Sequence, residues 1–466
     1  MTTRTPAPPW RSAGGVIDRR EGSSEWMSFG SGLVLVAAYV AALLMLMAWT
    51  SYDYWGALVV GPILVVVSLP ILWRHAQREN DPRLFAFLAC ILVLHMVMAY
   101  LGHVVAFDVY KGVADATGYH KTGVELGEAF RQGVFEPALR RGITGTDFPG
   151  FLNGLVYAVF GATRLGGFQF YAWLGFWGLF LFYRAFAIGI PDARPKAYAP
   201  LLFLYPSLLF WSSFMGKDPW MVLGLGAASL GAAYILTGRQ VPGLAWTGLG
   251  VLAMSLVRPH VAGLAGVALA VAYLIRRPKR ELGLLGPVAK CVGLAVVAAI
   301  ALLLVHRTER FLKEAGIETS QGLPGVLTEA SAGSAYGGSV FSPSVVSGPK
   351  DVPGAAFTVL FRPLFTEADS TLEFVTAAEG TFLMLLTVVR FRWVLAALRS
   401  SRRQAYVAFA AAYTGVAIVA FSALANFGLL DRQRVQILPL YFVLLSIPPP
   451  EGEAPDIEAP NRGARD

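Results

Sequence analysis

Five short stretches of the chain carry side chains suited to proton transfer or phosphate binding. The first runs from Asp115 through Thr117 to Tyr119 and His120, with Asp108 seven residues upstream. A carboxylate beside phenol and imidazole groups can take a proton from an acceptor hydroxyl. Asp115 also suits the first turn of a helix, where a negative charge meets exposed backbone N–H groups. Behind it Val124, Leu126, Phe130 and Val134 recur at helical spacing, which predicts an amphipathic helix lying on the membrane surface. The second stretch, Pro206 to Trp220, holds Ser212, Ser213, Lys217 and Asp218 at a turn between two apolar segments. Asp218 and Pro219 are a natural helix start, a setting that favours anions near Lys217. In the third, Arg258-Pro259-His260, an arginine sits between apolar segments with almost no loop. Burying such a cation without a partner is costly, so it is either functional or snorkels to headgroups. His260 alone also suits a structural donor. In the fourth, Arg432 and Arg434 stand two residues apart after Asp431, and read as bidentate phosphate ligands or as headgroup anchors. The fifth, 306–375, is rich in Gly, Ser and Pro and carries Arg362 and Glu367; Glu379 follows it. A loop of that length is more often functional than filler.

The elements that must position these groups follow from the apolar pattern. The chain has 466 residues, 55% hydrophobic and 15% charged, against about 25% charged in soluble domains. That balance excludes a soluble enzyme, a disordered chain and a fibrous repeat. Runs long enough to cross a bilayer lie at 30–49, 56–73, 84–106, 168–186, 198–214, 220–236, 242–257, 260–275, 287–305, 376–394, 405–425 and 434–447. They predict an all-α polytopic bundle of about twelve spans. The segments flanking them are a tail at 1–29, outer loops at 107–149 and 306–375, and a tail at 448–466. With the N-terminus cytoplasmic, the short loops 74–83, 187–197, 237–241, 276–286 and 390–404 are inner, and each is basic. The C-terminus then also lies inside. A full span at 150–163 would turn the arginine-rich 390–404 outward, so that stretch reads as a re-entrant or interfacial helix.

This topology brings all five stretches to the outer face. The inner loops account for much of the net charge of +8, and the cations left over sit at outer span junctions. Lys217, Arg258, Arg362, Arg432 and Arg434 are expected to converge with Asp115. Cations beside a carboxylate at a lipid-accessible site suit a phosphate-linked lipid donor, with the carboxylate as general base. Cys90 and Cys291 lie in apolar runs and form no disulfide framework or CxxC pattern. GxxxxGK[ST], HExxH and Gly-rich dinucleotide signatures are absent. No paired, interrupted helices with midplane acids suggest an ion-coupled transporter. Cations scattered over short loops do not imply nucleic-acid binding.

On these residues the chain resembles the GT-C class of integral-membrane glycosyltransferases, the protein O-mannosyltransferase and lipid A arabinosyltransferase types. The likeness rests on Asp115, Tyr119 and His120 with the surface helix 122–135, on Thr146 to Leu152 followed by Phe160, Gly161 and 168–184, and on Pro206 to Asp218. It covers roughly 108–260. The resemblance implies that Asp115, with Asp108 as a second acid, is the catalytic carboxylate. It implies a polyprenyl-phosphate sugar donor and a glycan or lipid acceptor of the bacterial envelope or exopolysaccharide, on the outer face of the inner membrane. Tyr119, His120, Lys217, Asp218, Arg258, His260, Arg362, Arg432 and Arg434 are then the substrate and phosphate ligands. Some members need a divalent cation, Mg2+ or Mn2+. Three spans precede the acidic loop here where the class has one, and the acid is single, not paired, so no metal ligands are assigned. Arg258, Arg362, Arg432 and Arg434 also resemble features of bacterial polysaccharide polymerases. A repeat-unit polymerase and a lipid-linked glycan flippase are therefore the alternatives. Membrane lipids and other envelope glycan synthesis proteins are the expected partners.

Overall fold

A computed structural model describes residues 19–112, 114–191, 195–276 and 322–449. The predicted span 287–305, most of the N-terminal tail, residues 306–321 of the second long loop and nearly all of the C-terminal tail lie outside the described residues. The described chain is helical, with one isolated bridge between Val340 and Asn426 and no named strand. Among the described residues, seven segments are long and apolar enough to cross a membrane: Ser31–Trp49, Tyr52–Arg78, Pro82–Val109, Arg164–Gly189, Lys217–Thr237, Gln240–Val257 and Thr371–Val389. The chain is a membrane protein built as a helical bundle.

The helices are α1 (Arg19–Trp49), α2 (Tyr52–Trp55), α3 (Ala57–Arg78) and α4 (Pro82–Val104), which runs on as a π turn over Val105–Val109. Then come α5 (Asp115–Arg131), α6 (Glu136–Arg141), α7 (Phe148–Phe160), α8 (Arg164–Gly189), α9 (Pro195–Leu204) and α10 (Pro206–Trp211). The middle of the chain forms α11 (Lys217–Thr237), α12 (Gln240–Val257) and α13 (Pro259–Ile275). The last part forms α14 (Gly322–Ser334), α15 (Val352–Phe361), α16 (Thr371–Val389), α17 (Phe391–Ser400), α18 (Ala405–Phe421), α19 (Phe427–Arg434) and α20 (Leu438–Leu445).

The spans expected at 198–214 and 434–447 differ from this. Pro206 lacks an N–H and disfavours helical backbone before it; Tyr205 is extended, at φ −68° and ψ 125°. The segment is therefore two helices of 10 and 6 residues. At about 1.5 Å per residue neither reaches across a hydrocarbon layer of about 30 Å. The last segment likewise breaks after Arg434 and resumes as α20, of 8 residues. These short pieces are buried in protein, where backbone irregularity is tolerated. The expected span 405–425 is α18, bent 118° from α17, and the pair counts as one further span if taken together. The short helix expected near 150–163 is α7, 13 residues ending at Gly161 with φ 86°. That left-handed backbone suits only glycine cheaply.

Close packing of the bundle depends on missing side chains. A Cβ at Gly226 of α11 meets the Gly178 carbonyl of α8 at 2.4 Å, and one at Gly175 meets the Ser212 carbonyl at 1.8 Å. The two backbones therefore touch, the small-residue mode of membrane helix association. This contact fixes the start of α11, and with it Lys217 and Asp218. The same device sets α5 on α7, where a Cβ at Gly123 meets Asn153 at 2.4 Å and one at Gly154 meets Leu126 at 2.7 Å. The Asn153 amide also donates to the Tyr119 carbonyl at 3.1 Å. The amphipathic helix expected after Asp115 is thereby docked with its Asp115 end facing α11.

Candidate functional site

Four of the predicted residues meet in one ionic cluster. Asp218, in the first turn of α11, is 1% exposed. Its Oδ1 accepts from Arg258 Nη1 at 3.3 Å and its Oδ2 from Arg432 Nε at 3.0 Å. Arg432 reaches onward with Nη1 to Asp115 Oδ2 at 3.3 Å. The order is thus Arg258, Asp218, Arg432, Asp115, drawn from α5, α11, the α12–α13 junction and α19.

Each member has a local reason for its position. Arg258 is the single residue between α12 and α13, and Pro259 opens the next helix. Its side chain is 14% exposed, and Nη1 also donates to Gln433 Oε1 at 2.9 Å. Arg432 stacks over Trp211 at 5.4 Å, and the Trp211 indole N–H donates to Asp431 Oδ2 at 2.6 Å. That ring face holds the guanidinium by cation–π attraction while leaving its edge free for carboxylates. Burial disfavours the Arg258 cation and the Asp218 carboxylate counters it; Asp218 and then Asp115 hold Arg432 firmly protonated. Asp115 is not a cap: the residue before α5 is Ala114, and the Asp115 side chain is 61% exposed. Lys217 is half-buried beside the cluster and, among the described residues, forms no hydrogen bond or ion pair. The cluster plus Lys217 therefore holds three cations against two carboxylates.

Tyr119 is near both Asp115 and Arg432, and burial pushes its phenol up, so it remains a hydrogen-bond donor. His120 turns the other way: its Nδ1 lies 2.9 Å from the Tyr157 hydroxyl. Burial lowers its imidazole to about 4, so it is neutral. His260 is partly buried in the first turn of α13. Asp108 is exposed at the π turn and, among the described residues, joins no ion pair.

Two expected phosphate ligands lie elsewhere. Arg434 is 0% exposed; its Nε donates to the Val359 carbonyl at 2.9 Å, its Nη2 to the Arg362 carbonyl, and Nη1 lies 3.9 Å from Asp431. Two residues apart on a helix, it faces away from Arg432. Arg362 pairs with Glu367, donates to the Ser342 carbonyl at 3.2 Å and stacks over Phe341 at 4.7 Å. Both arginines tie α15 and its following loop to α19. Glu379 is buried against Ser207, accepting from its backbone N–H at 3.0 Å and from its hydroxyl.

Beside Asp115 opens a polar cavity of about 510 Å³, with Gly112, Thr117, Lys121, Thr122, Thr146 and Asp147 in its wall. The loop that carries Thr146 and Asp147 is pinned to the end of α12 by Gly145 N–H to the Leu256 carbonyl at 2.7 Å. That bond ties one wall of the cavity to the α12–α13 junction that carries Arg258. Sequence reasoning singled out neither Trp211 nor Gln433 as a site residue, and no local pattern marks them. Asp147 stood beside Pro149 at a helix start, where a bland reading suffices.

Among the described residues no three His, Cys, Asp or Glu side chains gather as metal ligands. Asp115 pairs with Arg432, and the cavity wall adds one further carboxylate, Asp147. No family model matches the chain, and neither a curated protein nor a solved structure is detectably similar to it.

Proposed function

We propose that the protein is a GT-C-like glycosyltransferase of the bacterial inner membrane, using a polyprenyl-phosphate sugar donor on the outer face. The observation that carries this reading is the cluster itself: a solvent-facing Asp115 held by Arg432 to the buried Asp218–Arg258 pair, with the uncommitted Lys217 alongside. The donor phosphate exchanges for Asp115 on the free edge of Arg432 and gains Lys217. Displacing the carboxylate from Arg432 frees it to act as base. The acceptor hydroxyl then gives its proton to Asp115 as its oxygen bonds to the sugar C1. The C1–O bond to phosphate breaks, and the polyprenyl phosphate leaves with that electron pair, its added charge met by Arg432, Lys217 and Arg258. One base and one displacement give inversion at C1. Of the four arginines behind the polymerase reading, Arg362 and Arg434 are committed to Glu367 and to backbone carbonyls, which favours the transferase reading.

The test is transfer of labelled sugar from a polyprenyl-phosphate donor by the full chain in nanodiscs. Asp115→Asn should lower kcat by about 10²–10⁴-fold with the thermal midpoint unchanged. Full retained transfer would overturn the assignment of Asp115. A ladder of products in place of single additions would favour the polymerase.

A further inference from the structure

Asp115 stands between two regions of opposite charge. On one side Lys217, Arg258 and Arg432 outnumber the single buried carboxylate Asp218. On the other the cavity of about 510 Å³ presents two carboxylates, Asp115 and Asp147, against one ammonium, Lys121. Its wall adds the hydroxyls of Thr117, Thr122 and Thr146, and among the described residues no Leu, Ile, Val, Phe or Met lines it. The Thr117 hydroxyl oxygen is buried and, among the described residues, has no hydrogen-bond partner.

We infer that this cavity is the acceptor subsite and that it takes an uncharged saccharide. The assignment rests on the transferase reading and adds the class of acceptor to it. A lipid chain or an apolar peptide side chain needs the hydrophobic lining that ligand pockets usually supply, and this wall offers only the small Ala114 and the Tyr119 ring. An anionic acceptor, a uronic acid or a phosphorylated sugar, meets two carboxylates at close range, and like charges facing each other select against a partner. Neutral sugar hydroxyls suit the wall: each donates to Asp147 or Asp115 and accepts from Lys121 or a threonine. The volume lies within the range of about 300–1,000 Å³ found for small-ligand sites. Asp115 belongs to both regions, so the base sits where an acceptor hydroxyl and a donor phosphate meet.

Gly118 gives a clean test. It lies on the cavity wall, inside α5, and a Cβ added there meets nothing within 4 Å. Gly118→Leu fills the cavity without changing charge and favours the helix. The full chain in nanodiscs is applied to an array of neutral and anionic oligosaccharides, and its binding of polyprenyl phosphate is measured separately. Wild type should bind neutral glycans at least tenfold better than anionic ones. Gly118→Leu should lose that binding at least tenfold and keep polyprenyl-phosphate affinity within twofold. The exposed Asp147→Asn, read the same way, should weaken neutral glycans at least fivefold and narrow the preference over anionic ones. Glycan binding that is absent in wild type, unaffected by both variants, or equal for anionic glycans would overturn the inference. Failure of the donor reading shows in the other arm, as polyprenyl-phosphate binding that Arg258→Gln leaves unchanged.

Discussion

Replacing Asp218 with Asn removes the charge that holds two arginines at one point. Asp218 is 1% exposed, and Arg258 and Arg432 are 14% and 18% exposed. All three lie largely out of water, where breaking an ion pair by removing one partner costs about 3–5 kcal/mol. Two features soften the loss. Arg432 keeps Asp115 at 3.3 Å, and Arg258 keeps Gln433 at 2.9 Å. The expectation is therefore the low end, about 3 kcal/mol, measured by SDS-titration unfolding in mixed micelles. The exposed partner behaves differently: Asp115→Asn should cost about 0–1 kcal/mol, as surface pairs do, while lowering kcat by about 10²–10⁴-fold. The pair of variants thus separates the carboxylate that builds the site from the one that works in it. A double variant, Asp218→Asn with Arg258→Met, removes the stranded cation and should recover about 1 kcal/mol relative to additivity. An Asp218→Asn protein within about 1 kcal/mol of wild type, or an Asp115→Asn protein equally destabilised, would refute this division of roles.

Lys217→Met should weaken polyprenyl-phosphate binding about tenfold, close to 1.4 kcal/mol, at an unchanged thermal midpoint, because its ammonium has no ion pair to lose; isothermal titration reads both the size and the specificity. Arg434→Gln should destabilise the fold by about 3–5 kcal/mol and leave the donor KM of the surviving folded protein within twofold, since its guanidinium serves the Val359 and Arg362 carbonyls. His120 contributes a pH dependence of stability. Its imidazole lies at about 4 in the fold against 6.5 when free, so between those values the unfolded chain binds the extra proton. Stability should fall as pH drops from 6.5 toward 4, and His120→Gln should flatten that slope in thermal melts.

The gathering of these charges was an expectation drawn from the charge pattern of the short loops. Basic short loops on one side imply that the junctions at Lys217, Arg258 and Arg432 share the other, and Asp115 with them. Arg258 and Arg432 do meet at Asp218, and Arg432 carries on to Asp115. What local sequence could not convey is the pairing itself. Asp218 looks like a helix cap, and nothing within ten residues marks it as the partner of arginines 40 and 214 positions away. The spans expected at 198–214 and 434–447 show the opposite limit. Their hydropathy is that of a membrane crossing, yet Tyr205–Pro206 and the turn after Arg434 divide them, and only burial inside the bundle makes the short pieces stable.

Arg432 and Arg434 show most directly how physical reasoning separates site from scaffold. Two arginines at i, i+2 look like a bidentate clamp if the backbone is extended, since they then share a face. On a helix the same spacing sends them to nearly opposite sides. α19 is helical through Phe427–Arg434, so one arginine must enter the packing and the other must leave it. Arg434 enters, and its donors meet backbone carbonyls at the end of α15 and in the loop after it; Arg432 leaves, and meets Asp218, Asp115 and the Trp211 face. Arg434 anchors the short helix that aims Arg432 at the two carboxylates. Binding a phosphate then requires no movement of α19, only the exchange of Asp115 for a phosphate oxygen at the free edge of Arg432. On the proposed transferase reading, such an exchange would release Asp115 as the base when the donor arrives.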